Sequence, residues 1–277
     1  MMEHFTAVVG SLMRLPVGSP CPDCGELWSE RPNYPSGVRR IRVACPHELT
    51  ARELRDLADA RNAQYTRWMG HNASIVPLRD PSLRLSNVIP TTAIDVPLKA
   101  AHQYLDGIDE AIKHGMGLYL HGPSGTGKTF LATALASELD SRKITTCLLT
   151  SGQVIDGYKS RDPESFRSMA QSVEVLIIDD LGSEGVTDFA ASKLFEAIND
   201  RYASKKPLII TSNYSPTALC SRYSRLLQGK GLTQDDASMS VRRILSRIAE
   251  RCDSVEFQGE DYRLSSRSRA AIADKKG

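Results

Sequence analysis

From residue 98 to residue 257, short apolar runs alternate with longer stretches in which apolar side chains return every three or four positions. Runs of that length suit strands covered on both faces, and the longer stretches suit helices packed over them. The alternation predicts an α/β fold with a central parallel sheet flanked by helices. Strands are expected at Gly117 to Leu120, Ile144 to Leu149, Val175 to Leu181 and Pro207 to Asn213, with a short one around Val255 and Phe257. Helices are expected from Leu98 to His114, from Lys128 through Leu131, Leu135 and Leu139, from Ser151 to Ser160, from Ala190 to Tyr202 and from Val241 to Arg251. The polar stretch from Ser224 to Ser238 lacks apolar spacing and reads as an exposed loop.

Upstream of the sheet, Thr50-Ala-Arg-Glu53 has the form of a capping box. It opens a helix whose Leu54, Leu57, Ala58, Tyr65, Trp68 and Met69 recur at helical spacing until Gly70 is expected to stop it. That stripe could dock a partner protein or pack on neighbouring parts of the chain. Residues 70 to 97 scatter prolines among polar side chains, the composition of a linker. The expected organisation is a small N-terminal domain (1–79), a linker (80–97), the α/β domain (98–265) and a basic tail (266–277).

The strongest chemical signal stands where the first strand of the sheet ends. Gly122, Pro123, Ser124, Gly125, Thr126, Gly127, Lys128 and Thr129 spell G-x-x-x-x-G-K-[ST] between a strand and a helix. Backbone N–H groups of such a turn cradle phosphates, because residues without a Cβ let the chain approach closely. Lys128 would reach the β- and γ-phosphates, and the Thr129 hydroxyl would ligate Mg²⁺. A second signal is Val175-Leu-Ile-Ile-Asp-Asp180, where two carboxylates leave the C-terminal end of a buried strand. Asp179 would hold Mg²⁺ through water, and Asp180 would orient or deprotonate an attacking water. Asn213 ends the next apolar strand and could steady that water or cap the helix that follows. Arg243 and Arg247 lie four apart on one helical face, as a solvated basic surface or as cations offered to a neighbouring subunit's site.

Cys21-Pro-Asp-Cys24-Gly25, followed by Cys45-Pro-His47, supplies two possible edges of a tetrahedral zinc site. The intervening segment is too poor in apolar residues to fold on a core of its own, so a metal would supply the missing stabilisation. A redox dithiol at Cys21 and Cys24, or plain thiols, are the other readings. Cys147, Cys220 and Cys252 stand alone and read as small apolar groups. The net charge of +2 conceals a gradient: +1 over residues 1–80, −6 over 81–200 and +7 over 201–277. A basic end suits nucleic acid or an acidic partner, and equally a solvated helix face. No apolar run has the length of a membrane span, so no membrane partner and a cytoplasmic location are expected.

Taken together, the phosphate loop Gly122 to Thr129, the Leu-Ile-Ile-Asp-Asp-Leu-Gly strand, Ile-Ile-Thr-Ser-Asn213 before a Ser-Pro helix start, Arg-Ile-Leu-Ser-Arg-Ile and the closing Gly-Glu-Asp-Tyr-Arg263 resemble the DnaC/DnaI-type replicative helicase loaders over residues 85 to 265. The IstB transposition ATPases are similar over the same region. The resemblance implies an AAA+ P-loop ATPase that binds ATP and Mg²⁺, with Asp179 and Asp180 as the Walker B pair. It implies Asn213 as sensor 1 and Arg247 as the arginine finger, with Arg243 beside it, in a homo-oligomer formed with ATP. Family members deliver a ring-shaped replicative DNA helicase onto single-stranded DNA, and some carry a zinc-binding N-terminal domain, which fits Cys21, Cys24, Cys45 and His47. The alternative is an IstB-like ATPase acting on duplex DNA with a transposase. A metabolic P-loop kinase and a zinc-dependent adaptor with a switching nucleotide site are readings from other classes. Lys159 and Arg161, beside Tyr158 and near Phe166, are the expected DNA contacts, with a base stacked on an aromatic ring and a cation on phosphate.

Overall fold

A computed structural model describes residues 51–72, 83–88, 94–185, 187–228, 234–259 and 261. Cys21, Cys24, Cys45 and His47, and the tail from 262, lie outside the described residues. The chain divides between Gln64 and Tyr65 into two units, and the division falls inside the first described helix, α1 (Ala51–Asn72). Of the first unit, only turns of that helix are described.

In the second unit five parallel strands form one sheet: β1 (Gly117–His121), β2 (Thr146–Thr150), β3 (Val175–Leu181), β4 (Leu208–Ser212) and β5 (Cys252–Glu256). Their spatial order is β2-β3-β4-β1-β5. Consecutive strands are parallel, so each connection crosses over the sheet through helices. These are α2 (Asp95–Asp106) and α3 (Ile108–His114) before β1, and α4 (Lys128–Ser141) between β1 and β2. Next come α5 (Ser151–Lys159) and α6 (Pro163–Ser172), then α7 (Asp188–Ala203), and finally α8 (Pro216–Gln228) and α9 (Gln234–Arg251) before β5.

Strands β1 to β4 are largely apolar because both of their faces are covered, whereas β5, at the sheet's edge, leaves Ser254 and Glu256 exposed. Leu118, Leu120, Leu176, Ile177, Ile178, Ile209 and Ile210 are all buried. On α4 the expected Leu131, Leu135 and Leu139 are all fully buried. Cys147 and Cys252 are also buried, as small apolar groups, and burial pushes the Cys252 thiol up to about 12, away from reactivity. None of the helices among the described residues is long and apolar enough to cross a membrane.

Four boundaries differ from the sequence reading. Gly70 does not end α1, which continues to Asn72. One glycine costs only about 1 kcal/mol in a helix, and here Trp68 Nε1 donates to Ser172 Oγ at 2.9 Å while Tyr65 Oη donates to Asp140 Oδ1 at 2.6 Å. The expected helix from Leu98 to His114 is broken at Gly107, which closes α2 and opens α3. Residues 224–238 are not one exposed loop. Leu219, Tyr223 and Leu227 are buried at a spacing of four and carry α8 to Gln228, and α9 resumes at Gln234. Helix α6 was not expected at all. Its signal was Asp162-Pro163: the Asp162 carboxylate accepts the Ser165 N–H at 3.0 Å, with proline in the first helical turn.

Candidate nucleotide site

The strand order brings the predicted chemistry together. With β4 between β3 and β1, the C-terminal ends of all three adjoin, carrying Asp179 and Asp180, Asn213, and the phosphate loop respectively. At the foot of that loop Gly122 has φ +146, and a Cβ there would lie 2.2 Å from the Phe257 carbonyl oxygen. At its apex Gly125 has φ +74, and a Cβ would lie 1.8 Å from Asp261 Oδ1. The loop is thus threaded against the segment that follows β5, and only glycine fits.

Lys128 is buried at the start of α4, and its Nζ donates to the carbonyls of Gly122 (2.8 Å) and Pro123 (2.6 Å). The ammonium therefore lies across the loop. Thr126 Oγ1 donates to the Pro123 carbonyl at 2.8 Å and tightens the turn. Thr129 Oγ1 stands 3.1 Å from both oxygens of Asp179, a buried carboxylate. A hydroxyl and a carboxylate so placed, beside a lysine and glycines with positive φ, match the donor set of a Mg²⁺-nucleoside triphosphate.

Asp180 owes its position to a bulge. Ile178 pairs with Ile210 and Leu181 with Ser212, so β3 takes three steps where β4 takes two. Asp180 absorbs the extra residue with φ +59, uncommon for a residue other than glycine. Opposite the bulge Thr211 Oγ1 accepts the Asp180 N–H at 2.8 Å and donates to Asp179 Oδ1 at 2.5 Å. Sequence reasoning missed Thr211 because it reads as one more residue of an apolar strand. Asn213 Nδ2 donates to Asp180 Oδ1 at 3.2 Å, which joins the Asn213 and Asp180 side chains. The helix after Asn213 is held by Ser215, whose Oγ accepts the Ala218 N–H at 3.3 Å, so the capping expected of Asn213 is done by another residue.

His121 ends β1 just before the loop, with Nε2 3.0 Å from Ser254 Oγ. Burial first, and then the Lys128 charge, lower its pKa against the opposing pull of Glu256.

Arg243 and Arg247 do not join this cluster within their own chain. Arg247 lines a cleft with Gly115, Lys206, Leu208 and Cys252, beside the starting edges of β1, β4 and β5, whereas the phosphate loop leaves the finishing edge of β1. Its guanidinium donates to Asn199 Oδ1 and lies over the Tyr202 ring at 5.3 Å. The predicted stacking surface also needs correction. Tyr158 and Phe166 are buried edge to face, 5.4 Å between centroids, and no base can lie on either. The exposed ring nearby is Phe189, 41% accessible, with Lys159 Nζ at 5.6 Å and Lys193 Nζ at 5.9 Å from its centroid. Arg161 is exposed at the end of the same region. Among the described residues no group of three or more His, Cys, Asp or Glu is placed to hold a metal ion.

Comparison with known proteins gives the site a family. The sequence profile of the IstB-like ATP binding proteins matches residues 103–270. The replicative helicase loader DnaI of Bacillus subtilis is 25% identical over 154 residues, covering 54% of this chain and 48% of DnaI. The chromosomal replication initiator protein DnaA of Bacteroides fragilis is 29% identical over 157 residues, 52% of this chain and 33% of DnaA. The chain thus spans half or less of the length of these curated relatives. Among solved structures, a crystal structure of DnaI superposes with TM-score 0.54 at 24% identity over 64% of this chain and 92% of that one. The DnaC helicase loader superposes with TM-score 0.50 at 25% identity, over 64% of this chain and 97% of that one. The strand order, the phosphate loop and the profile match agree: the chain is a member of the IstB-like ATP binding family, with an AAA+ fold.

Proposed function

We propose that the chain is an ATP-hydrolysing helicase loader, which delivers a ring-shaped replicative helicase onto single-stranded DNA. The observation that carries hydrolysis is the meeting of the phosphate loop, the Asp179–Asp180 bulge and Asn213 at three adjoining strand ends. Bound Mg²⁺ would draw charge from the phosphates as the bond to the γ-phosphoryl group breaks. Gly122 to Thr129 hold the phosphates, Thr129 and Asp179 face the cation, and Asp180 with Asn213 orients the attacking water and takes its proton. Arg247 stands at the opposite edge of the sheet from its own phosphate loop and serves a neighbouring copy, which requires release from Asn199. Arg243 lines a second groove, which Arg247 also borders, with Glu196 and Asn199. Exposed Phe189, flanked by Lys159 and Lys193, offers a base a stacking face and its phosphate a cation.

Mixing variants tests this directly. Lys128→Ala and Arg247→Ala are each expected to abolish ATP turnover alone. A mixture should recover a measurable fraction, because mixed neighbours contain sites with both side chains intact. Two inactive variants that stay inactive together, or a fully active Arg247→Ala, would remove the finger. Cys21, Cys24, Cys45 and His47 complete the reading as a zinc knuckle. Metal analysis should find one zinc per wild-type chain and a loss in Cys21→Ser.

The family match favours one second reading, an IstB-like transposition ATPase acting on duplex DNA with a transposase. Preference for duplex over single strands at matched salt would select it.

A further inference from the structure

The chain turns sharply just beyond the two carboxylates, and the turn is tied to a helix on the far side of β4. Glu184 makes both ends of the tie. Its Oε2 accepts the Gly182 N–H at 2.9 Å, and its Oε1 accepts the hydroxyl proton of Tyr223, thirty-nine residues on in α8. Tyr223 is held in turn: it is 1% accessible and stacks edge to face on Phe195 of α7, 5.4 Å between centroids. Burial, and then the Glu184 charge, push its pKa upward, so the hydroxyl keeps its proton for the carboxylate.

The turn itself leaves no room to shift. Gly182 has φ +96, and a Cβ there would meet Leu219 Cδ1 at 2.8 Å and Tyr214 Cδ2 at 3.0 Å, both belonging to the segment that leads into and forms α8. Asp180 is bound into the same turn through its backbone: its carbonyl accepts Ser183 N–H at 3.2 Å, Ser183 Oγ at 2.8 Å and Ser151 Oγ at 3.2 Å. Nothing in the phosphate chemistry requires a carboxylate at 184, and nothing in core packing requires a hydroxyl on Tyr223. Each is explained by the other.

We propose that Glu184 and Tyr223 are positioning residues which fix the backbone of Asp180 to α8, so that the Asp180 carboxylate is aligned with Asn213 only while this latch is closed. Asn213 stands three residues before the start of α8, so one helix bears on both side chains that flank the attacking water. This rests on the hydrolytic reading above and adds two residues that touch neither nucleotide nor water. A misplacement on the order of 1 Å at a reacting group can cost about a hundredfold in rate, and a latch one step removed should cost less.

The test uses Tyr223→Phe, which keeps the buried ring, Glu184→Met, which keeps the side-chain length and removes both acceptor oxygens, and the double variant in the full-length protein. Each single variant is expected to lower kcat for ATP about tenfold with KM and nucleotide affinity within about twofold of wild type. The double variant should be no worse than the poorer single one, since both remove one shared contact. Hydrogen exchange at the Gly182 amide should quicken in Tyr223→Phe, a readout independent of turnover. Unchanged kcat, unchanged exchange, losses that multiply in the double variant, or a kcat loss matched by lost nucleotide binding would each overturn the latch. If the wild type hydrolyses no ATP, the hydrolytic reading fails by itself, and the amide exchange still reports on the latch.

Discussion

Thr211 Oγ1 bonds to both of the acidic residues at the end of β3, accepting the Asp180 N–H and donating to Asp179 Oδ1. Replacing it by valine keeps the volume and leaves the half-buried Asp180 N–H and the buried Asp179 carboxylate each short of a partner, a cost of about 1–3 kcal/mol. Thr211→Val is expected to reduce kcat for ATP roughly tenfold while nucleotide affinity moves little, and Thr211→Ser should restore most of the rate. A valine variant with wild-type turnover would show that the bulge holds without the hydroxyl. At this scale the sequence was informative where the chemistry is local. Lys128, Thr129 and the paired aspartates stand in short motifs whose geometry is set by their immediate neighbours. Thr211 and Glu184 were silent because their partners lie 31 to 39 residues away, across a register shift that no local pattern encodes.

Among the elements, the start of the sheet depends on one side chain. Arg201 near the end of α7 is 1% accessible, and its guanidinium donates to the carbonyls of Ala170 (3.2 Å), Val173 (2.6 Å), Glu174 (2.6 Å) and Pro207 (2.7 Å). It thereby ties the end of α6 to the beginnings of β3 and β4. Burial pulls its pKa down to about 9, which still leaves it charged at neutral pH. With a longer contact to the Gln171 carbonyl (3.5 Å), the planar fork reaches five carbonyls at once, which an ammonium cannot do. Arg201→Met is expected to lower unfolding free energy by roughly 3 kcal/mol, and Arg201→Lys to recover only part of it, as measured in urea. A methionine variant as stable as wild type would refute this. The periodic signal located β1 to β4, whose apolar runs are covered on both faces, and the short β5 from Val255, and it located α2, α4, α5, α7 and the later turns of α9. It missed α6, whose ten residues bury only Phe166, Met169 and Ala170, and it read the later turns of α8 and the first turns of α9 as loop because their sequence is polar.

For the molecule as a whole, the basic surplus over residues 201–277 falls largely on α8, α9 and the chain beyond β5, while the acidic middle carries the carboxylates of the nucleotide site. The same late part of the chain also reaches the phosphate loop. Phe257 is fully buried, its N–H donates to the His121 carbonyl at 2.6 Å, and its own carbonyl crowds Gly122, while the Asp261 carboxylate rests against Gly125. The last described stretch of the chain thus borders the turn that a phosphate would enter. A nucleotide held in the loop should therefore also shield the Phe257 amide, bonded to the His121 carbonyl at the foot of the loop, from hydrogen exchange.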